Sequence, residues 1–182
     1  MSPRPGRAPK ARFFATAAKG TEILLADELA ELGLPDVYPA RGGVYFGQAR
    51  EDGYRACLWS RIALRVHEPL ASFECRDGDD LYAGVKAIDW SEYLDGQRTL
   101  AVRAAGHNDR LTHTHFIAVR AKDAIVDQLR DRRGVRPSVD RDAPDLLLFI
   151  HLSGEQATVN VDLSGAPYVD VEKELALAFS KD

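Results

Sequence analysis

The residues with the clearest chemical potential lie between Arg98 and Arg136, where nine Lys or Arg side chains stand against four acids, Asp109, Asp123, Asp127 and Asp131. This segment has a local net charge of +5, although the whole chain sums to −4. A second basic run, Arg4, Arg7, Lys10 and Arg12, contains no acid and adds +4, so the remaining residues are strongly acidic. A polyanion responds to the local field rather than to the sum, so the total does not exclude a nucleic-acid partner. Spacing separates the candidates. Arg103 alternates with Leu100 and Val102 on an extended segment, and Arg110 follows in a loop with the uncharged donors Asn108 and Thr112. Arg120 and Lys122 project from a helical stretch that ends in Arg130, Arg132, Arg133 and Arg136. Arg103, Asn108, Arg110, Thr112, Arg120, Lys122, Arg133 and Arg136 thus form a candidate face for phosphate and sugar contacts, suited to structured RNA read by shape. Phe116 is the single aromatic in the segment, so a base-stacking platform is not indicated.

Other chemistries find less support. His113 and His115, with His107 and Asp109 nearby, fall where loop becomes helix, without a convincing ligand spacing. Asp140, Asp142 and Asp145 lack the glycine and terminal glutamate of a calcium loop. No Gly-x-Gly-x-Gly follows a strand, and no phosphate-binding loop or Gly-x-Ser-x-Gly elbow occurs. The Asn/Asp-Pro-Pro-Tyr loop of amino-methylating enzymes is missing too. This chain is therefore expected to be non-catalytic by itself, with no metal and no cofactor of its own. Cys57 and Cys75 match no Cys-x-x-Cys pattern and read as buried small hydrophobes in a reducing cytoplasm. No apolar run approaches the roughly 20 residues of a membrane helix, and no secretory signal opens the chain.

The elements that must position these residues alternate. Residues 1–11 read as a disordered basic leader, and Phe13–Ala18 as a short buried strand. Thr21 is placed to cap a helix carrying Leu25, Leu29 and Leu32, which Gly33 and Pro35 terminate. Strands follow near Val37-Tyr38 and Val44–Phe46. A second helix is expected over 51–63, with Tyr54, Leu58 and Ile62 as its apolar stripe. A strand over 64–75 leads through the acidic turn Asp77–Asp80 to a helix over 81–88. Arg98–Ala105 alternates as a strand, and Thr114–Asp131 is the strongest helix, with Ile117, Ala121, Ile125 and Leu129 buried. Asp145–Leu152 reads as a central strand covered on both faces. Thr158–Leu163 reads as a strand in which Val159, Val161 and Leu163 alternate with Thr158, Asn160 and Asp162. A last helix is compatible with Val171, Leu175 and Ala178. The fold class is α+β, in two layers.

Several stretches in order resemble one family. Phe14-Ala15-Thr16-Ala17-Ala18-Lys19-Gly20, Gly42-Gly43-Val44-Tyr45-Phe46 and Leu58-Trp59-Ser60-Arg61 look like the start of the large bifunctional bacterial 23S rRNA guanine-N2 methyltransferases. Lys122–Asp127, Arg136-Pro137-Ser138-Val139-Asp140 and Asp162-Leu163-Ser164-Gly165 continue the match, which covers roughly residues 12–165. The resemblance implies a ferredoxin-like segment at 12–65, then a THUMP domain at 66–165 (with a start as early as 53) whose mixed sheet is packed by helices. A tail or linker occupies 166–182. It further implies a cytoplasmic protein that docks 23S rRNA. S-adenosylmethionine would belong to a catalytic methyltransferase domain beyond this chain, which this region would contact intramolecularly. The family's usual Leu-His-x-Arg-Gly-Tyr-Arg stretch after Gly165 is replaced here by Ala166-Pro167-Tyr168-Val169-Asp170. Thiouridine and pseudouridine synthases also carry THUMP domains and remain alternative parents. A protein-interaction scaffold is the reading from another class.

Overall fold

The computed structural model describes residues 11–95 and 97–165. The basic leader and the helix expected near the end of the chain lie outside the described residues. The chain forms two compact units. Residues up to Glu68, joined by the return at Leu163, make unit 1, and Pro69–Asp162 makes unit 2.

Unit 1 runs β1 (Phe13–Thr16), α1 (Glu22–Glu31), β2 (Tyr38–Ala40), β3 (Gly43–Phe46), α2 (Arg50–Trp59) and the first half of β4 (Arg65–Glu74). Its strand order is β2-β3-β1-β4, antiparallel throughout, which is the ferredoxin-like arrangement. Phe13 pairs with Phe46, and Ala15 lies between Val44 and Val66. These side chains, with Leu25 and Leu29 of α1 and Ala56 of α2, form one apolar core. Gly43 is required at its position, because a Cβ there would stand 2.2 Å from the Ala15 carbonyl oxygen.

Three local expectations are corrected here. Thr21 sits at the α1 N-cap, but its hydroxyl turns back to donate to the Ala18 carbonyl at 2.8 Å. The Glu22 carboxylate instead accepts from the amides of Gly20 (2.8 Å) and Gly42 (3.3 Å). Helix α2 stops at Trp59, and its buried residues are Gly53 and Ala56, whereas Tyr54 and Leu58 are 52% and 76% exposed. The bulk on that interface comes from the sheet, since the Phe13 ring lies 2.8 Å from where a Gly53 Cβ would be. Small residues on the helix make room for it.

Unit 2 contains the rest of β4, α3 (Gly78–Ala87), a 3-10 turn at Trp90–Glu92, β5 (Leu100–His107), α4 (Thr114–Arg133), β6 (Leu146–Ser153) and β7 (Gln156–Asp162). The strand order is β4-β7-β6-β5, with β5 parallel to β6 and β6 antiparallel to β7. Helix α4 buries Ile117, Ala121, Ile125 and Leu129 as the spacing predicts, with Ala124, Val126 and Gln128 beside them. Gln128 is a buried polar link. Its amide oxygen accepts from Trp90 N at 3.0 Å, and its amide nitrogen donates to the carbonyls of Lys86 and Ile88. The acidic turn belongs to α3 itself, because Asp77 caps that helix by accepting from the Asp79 and Asp80 amides, both at 3.1 Å. Asn160 and Asp162 are buried along with Val159 and Val161. The Asn160 side chain donates to Phe149 O at 3.0 Å and Thr158 O at 3.3 Å.

Candidate nucleic-acid interface

The sequence-predicted cations of unit 2 divide among four settings. The loop after β5 starts at Gly106, which has φ +86° and lies where a Cβ would come 1.8 Å from the Leu152 carbonyl oxygen. Asn108 then organises the turn. Its side-chain nitrogen donates to Cys75 O (3.0 Å) and Arg76 O (3.3 Å), and its oxygen accepts from the amides of Arg110 (3.1 Å) and Leu111 (2.7 Å). Both ends of this amide are thus committed within the protein. Arg110 reaches the Asp77 carboxylate at 3.2 Å. The Asp80 and Asp79 amides hold the Asp77 carboxyl below the usual aspartate range against some desolvation, with Arg110 adding to the effect. Arg110 and the exposed Thr112 line a cleft of about 1100 Å³ with Arg76, Asp77, Asp80, His107, Asn108, Asp109, Gly154 and Glu155. Two arginines face four carboxylates there, and Arg76 is itself paired with Glu74 and Asp80.

The contact of α3 with α4 is the second setting. Arg120 donates to Gly78 O at 3.1 Å and to Asp79 Oδ1 at 2.7 Å, and its guanidinium lies 4.5 Å from the centre of the Tyr82 ring. This arginine clamps the start of α3. Nearby, Cys75 is buried, and burial, followed by Asp80 and Asp77, pushes its thiol up to about 11, consistent with an unreactive core residue.

The third setting is a groove of about 260 Å³ between β5 and α4. Its lining comprises Ala101, Val102, Ala118, Val119 and Val139 as apolar surface, with Arg103, His115, Lys122 and Arg141. Arg103 is exposed on β5, although Ala101 on the same face is buried, because exposure along this strand grows toward its His107 end rather than alternating. The segment after α4 is pinned alongside β5, where Leu100 N donates to Ser138 O at 3.0 Å and Asp140 N to Leu100 O at 3.2 Å. That pinning delivers Arg141 to the groove. Asp140 and Asp145 are used structurally here. Asp140 accepts from the amides of Asp142 and Ala143, and Asp145 holds the Thr99 amide at 2.8 Å and its hydroxyl at 2.9 Å. Among the described residues neither Arg103 nor Arg141 has an ion pair, while Lys122 is 2.6 Å from Asp123. Sequence reasoning did not include His115 or Arg141 in the face. The available signal for Arg141 was Val139 after Pro137, an apolar residue able to bridge to an edge strand.

The end of α4 is the fourth setting. Arg130 pairs with Asp127 (3.0 Å) and Asp131 (3.3 Å), and Arg132 is 3.5 Å from Asp89. Arg133 and Arg136 are exposed and make no ion pair among the described residues. They lie near a helix C-terminus, where cations are favourable. Among the described residues no three His, Cys, Asp or Glu side chains gather as metal ligands.

Comparison with known proteins agrees with this architecture. Residues 12–67 match the RlmL ferredoxin-like domain and residues 75–162 match the THUMP domain. The fold is thus that of a THUMP-domain protein preceded by a ferredoxin-like unit. The chain is 48% identical over 154 residues to a ribosomal RNA large subunit methyltransferase K/L of Syntrophotalea carbinolica, covering 85% of this chain and 22% of the relative. It is 46% identical to the protein of that name from Pseudomonas entomophila, over 84% of this chain and 21% of the relative. The chain belongs to the ferredoxin-like and THUMP region of that methyltransferase family, and it spans about a fifth of the length of these relatives. Among solved structures, it is similar to a predicted N6-adenine-specific DNA methylase from Listeria monocytogenes (27% identity, TM-score 0.73, covering 86% of this chain and 41% of that one). It is also similar to a chain described as a methyltransferase complexed with SAH (30% identity, TM-score 0.70, covering 82% and 40%).

Proposed function

We propose that unit 2 docks ribosomal RNA for a methyltransferase domain carried elsewhere in the longer protein. The observation that carries this reading is the β5/α4 groove, where Arg103, Lys122 and Arg141 meet and no acid contributes to the lining. Arg133 and Arg136 extend the positive surface as exposed side chains. Arg110 and Arg120 are secondary contacts, because their first partners are carboxylates of their own unit. Asn108 shapes the neighbouring loop with both ends of its amide, and the exposed Thr112 offers a phosphate contact at the loop's rim. In the whole protein, S-adenosylmethionine would supply the methyl group and the exocyclic amine of a 23S rRNA guanine would receive it. None of the residues described here takes part in that chemistry. The module's work is to fix where the RNA backbone lies, so that a catalytic domain in contact with it reaches one nucleotide.

Binding of the full chain to a 23S rRNA fragment across a salt series, with a DNA duplex as control, tests the reading. Contact with four to six phosphates gives a log–log slope of about −3 to −5. Salt-insensitive binding, or equal affinity for DNA, overturns it.

A further inference from the structure

The basic segment of unit 2 carries one aromatic, Phe116, whereas unit 1 sets three in a row across its sheet. The register places Tyr38 of β2 beside Tyr45 of β3, Tyr45 beside Phe14 of β1, and Phe14 beside His67 of β4. Side chains alternate along a strand, so this row faces away from Phe13, Ala15, Val44, Phe46 and Val66. Those residues form the core with Leu25, Leu29 and Ala56, which puts both helices of unit 1 on that side. Among its described residues unit 1 has no third helix to cover the opposite face. His67 is buried at the β4 end of the row, while Tyr38, Tyr45 and Phe14 are half-buried.

The rings are disposed to receive something flat. Phe14 and Tyr45 lie 4.7 Å apart between centroids and are tilted by 53°, and Tyr38 and Tyr45 lie 6.3 Å apart and are tilted by 41°. None is stacked face to face on its neighbour, so ring faces are left for a partner. Phe14 reaches diagonally over Gly43, where a Cβ would come 2.7 Å from its Cζ. The glycine lets this ring lie along the sheet. The next row on the same face, Ala40, Gly43, Thr16 and Arg65, is small or polar. A protein contact would call for aliphatic bulk there, whereas nucleotides call for clearance and nearby cations. Cations stand at this end. The Glu22 carboxylate holds the amides of Gly20 and Gly42 at 2.8 and 3.3 Å, which brings the exposed Lys19 and Arg41 to the same end of the sheet. Aromatics on the two central strands of a four-stranded sheet, with an open face, suit stacking of splayed bases. We propose that the Tyr38–Tyr45–Phe14 face of unit 1 stacks about two or three unpaired RNA bases, with their phosphates toward Lys19 and Arg41. This takes RNA binding to a different surface and a different mode from unit 2, and does not depend on the β5/α4 groove.

The test is binding of the full chain to a short, unstructured uridine oligonucleotide, at salt high enough to suppress purely electrostatic contacts. Phe14→Leu/Tyr45→Leu keeps apolar bulk and removes both rings. It should weaken binding about tenfold or more with an unchanged salt slope, because no cation is lost. Tyr45→Phe, which keeps a ring, should lose less than about threefold. Should the leucine pair fail to fold, photo-cross-linking of the unaltered chain to the same oligonucleotide carrying iodouridine decides, with adducts expected on Phe14, Tyr38 or Tyr45. No detectable binding of the oligonucleotide, unchanged affinity in the folded leucine pair, or adducts confined to unit 2 overturns the inference. Binding of the structured 23S rRNA fragment is read separately, so docking by unit 2 survives or fails on its own result.

Discussion

Two concavities of unit 2 meet on strand β5 yet differ in kind. The larger, at the His107 end, holds two arginines against four carboxylates in about 1100 Å³. The smaller, beside Arg103, holds two arginines and a lysine with no carboxylate in its lining, in about 260 Å³. Size favours the first as a ligand site, and electrostatics favours the second for a phosphate backbone. A polyanion entering the large cleft would meet a net negative lining and would have to displace Asp77 from Arg110 and Asp80 from Arg76. In the groove, Arg103 and Arg141 have no carboxylate partner to surrender among the described residues. Counting cations along the chain therefore overstates the charge available to a partner. The useful quantity is the cation left after the fold has made its own pairs.

Gly106 separates these regions on β5 and should show the largest effect. Gly106→Ala places a Cβ 1.8 Å from Leu152 O at φ +86°, combining overpacking with a left-handed backbone. A loss of about 3 kcal/mol or more is expected in urea unfolding. A loss under about 1 kcal/mol would mean that the β5–β6 contact yields easily and that the cleft loop is not anchored there. Asn108→Ala should follow, at about 2–3 kcal/mol, because it strands two carbonyls and two amides. Its RNA affinity per folded molecule should stay within about threefold, since the side chain serves the loop.

The sharpest test of the comparison pairs two double variants. Arg103→Ala/Arg141→Ala should weaken RNA binding tenfold or more and reduce the magnitude of the salt slope by nearly 2, about 0.9 per lost phosphate contact. Stability should change by less than about 0.5 kcal/mol, as for exposed side chains without partners. Arg110→Ala/Arg120→Ala should do the opposite. It should cost about 1 kcal/mol of stability, mainly through the Arg120 bonds to Gly78 O and Asp79, and less than threefold in affinity. Equal losses of affinity in both doubles would erase the distinction between groove and cleft.

Much of this organisation was legible in the sequence, for reasons that also explain the misses. Helix α4 was plain because Ile117, Ala121, Ile125 and Leu129 pack against a sheet that accepts one stripe of large side chains. Helix α2 was misread because Phe13 fills the interface from the other side, leaving Gly53 and Ala56 as the buried positions. Apolar periodicity locates bulk, and bulk need not come from the helix. Alternation in β7 did not separate a buried from an exposed face, because Val159, Asn160 and Val161 are all buried and the Asn160 amide is satisfied by Phe149 O. For the candidate face, Arg103 and Lys122 both line the β5/α4 groove. The partners of Arg110 and Arg120 could not be foreseen, because Asp77 and Asp79 lie 33 and 41 residues away in sequence. Arg141 escaped for a related reason: only the pairing of Ser138–Asp140 with Leu100 brings it to the groove.

The smallest effect concerns pH and isolates the structural half of the comparison. Asp77 is held below the ordinary aspartate range chiefly by the Asp80 amide, with the Asp79 amide and Arg110 contributing. A carboxyl with a depressed folded-state value stabilises the fold above its unfolded value, near about 3.9, and loses that contribution as pH falls through the lower folded value. The cap on α3 and the Arg110 pair should therefore weaken together in acid. Asp77→Asn can still accept from the α3 amides but cannot titrate, so its urea midpoint should vary less between pH 5 and pH 3 than that of the unaltered chain. At pH 7 its RNA affinity should rise slightly if anything, because Arg110 is released toward solvent. A clear fall in affinity would show that the Arg110–Asp77 pair orients the arginine for RNA, and the cleft would then join the groove as part of the binding face.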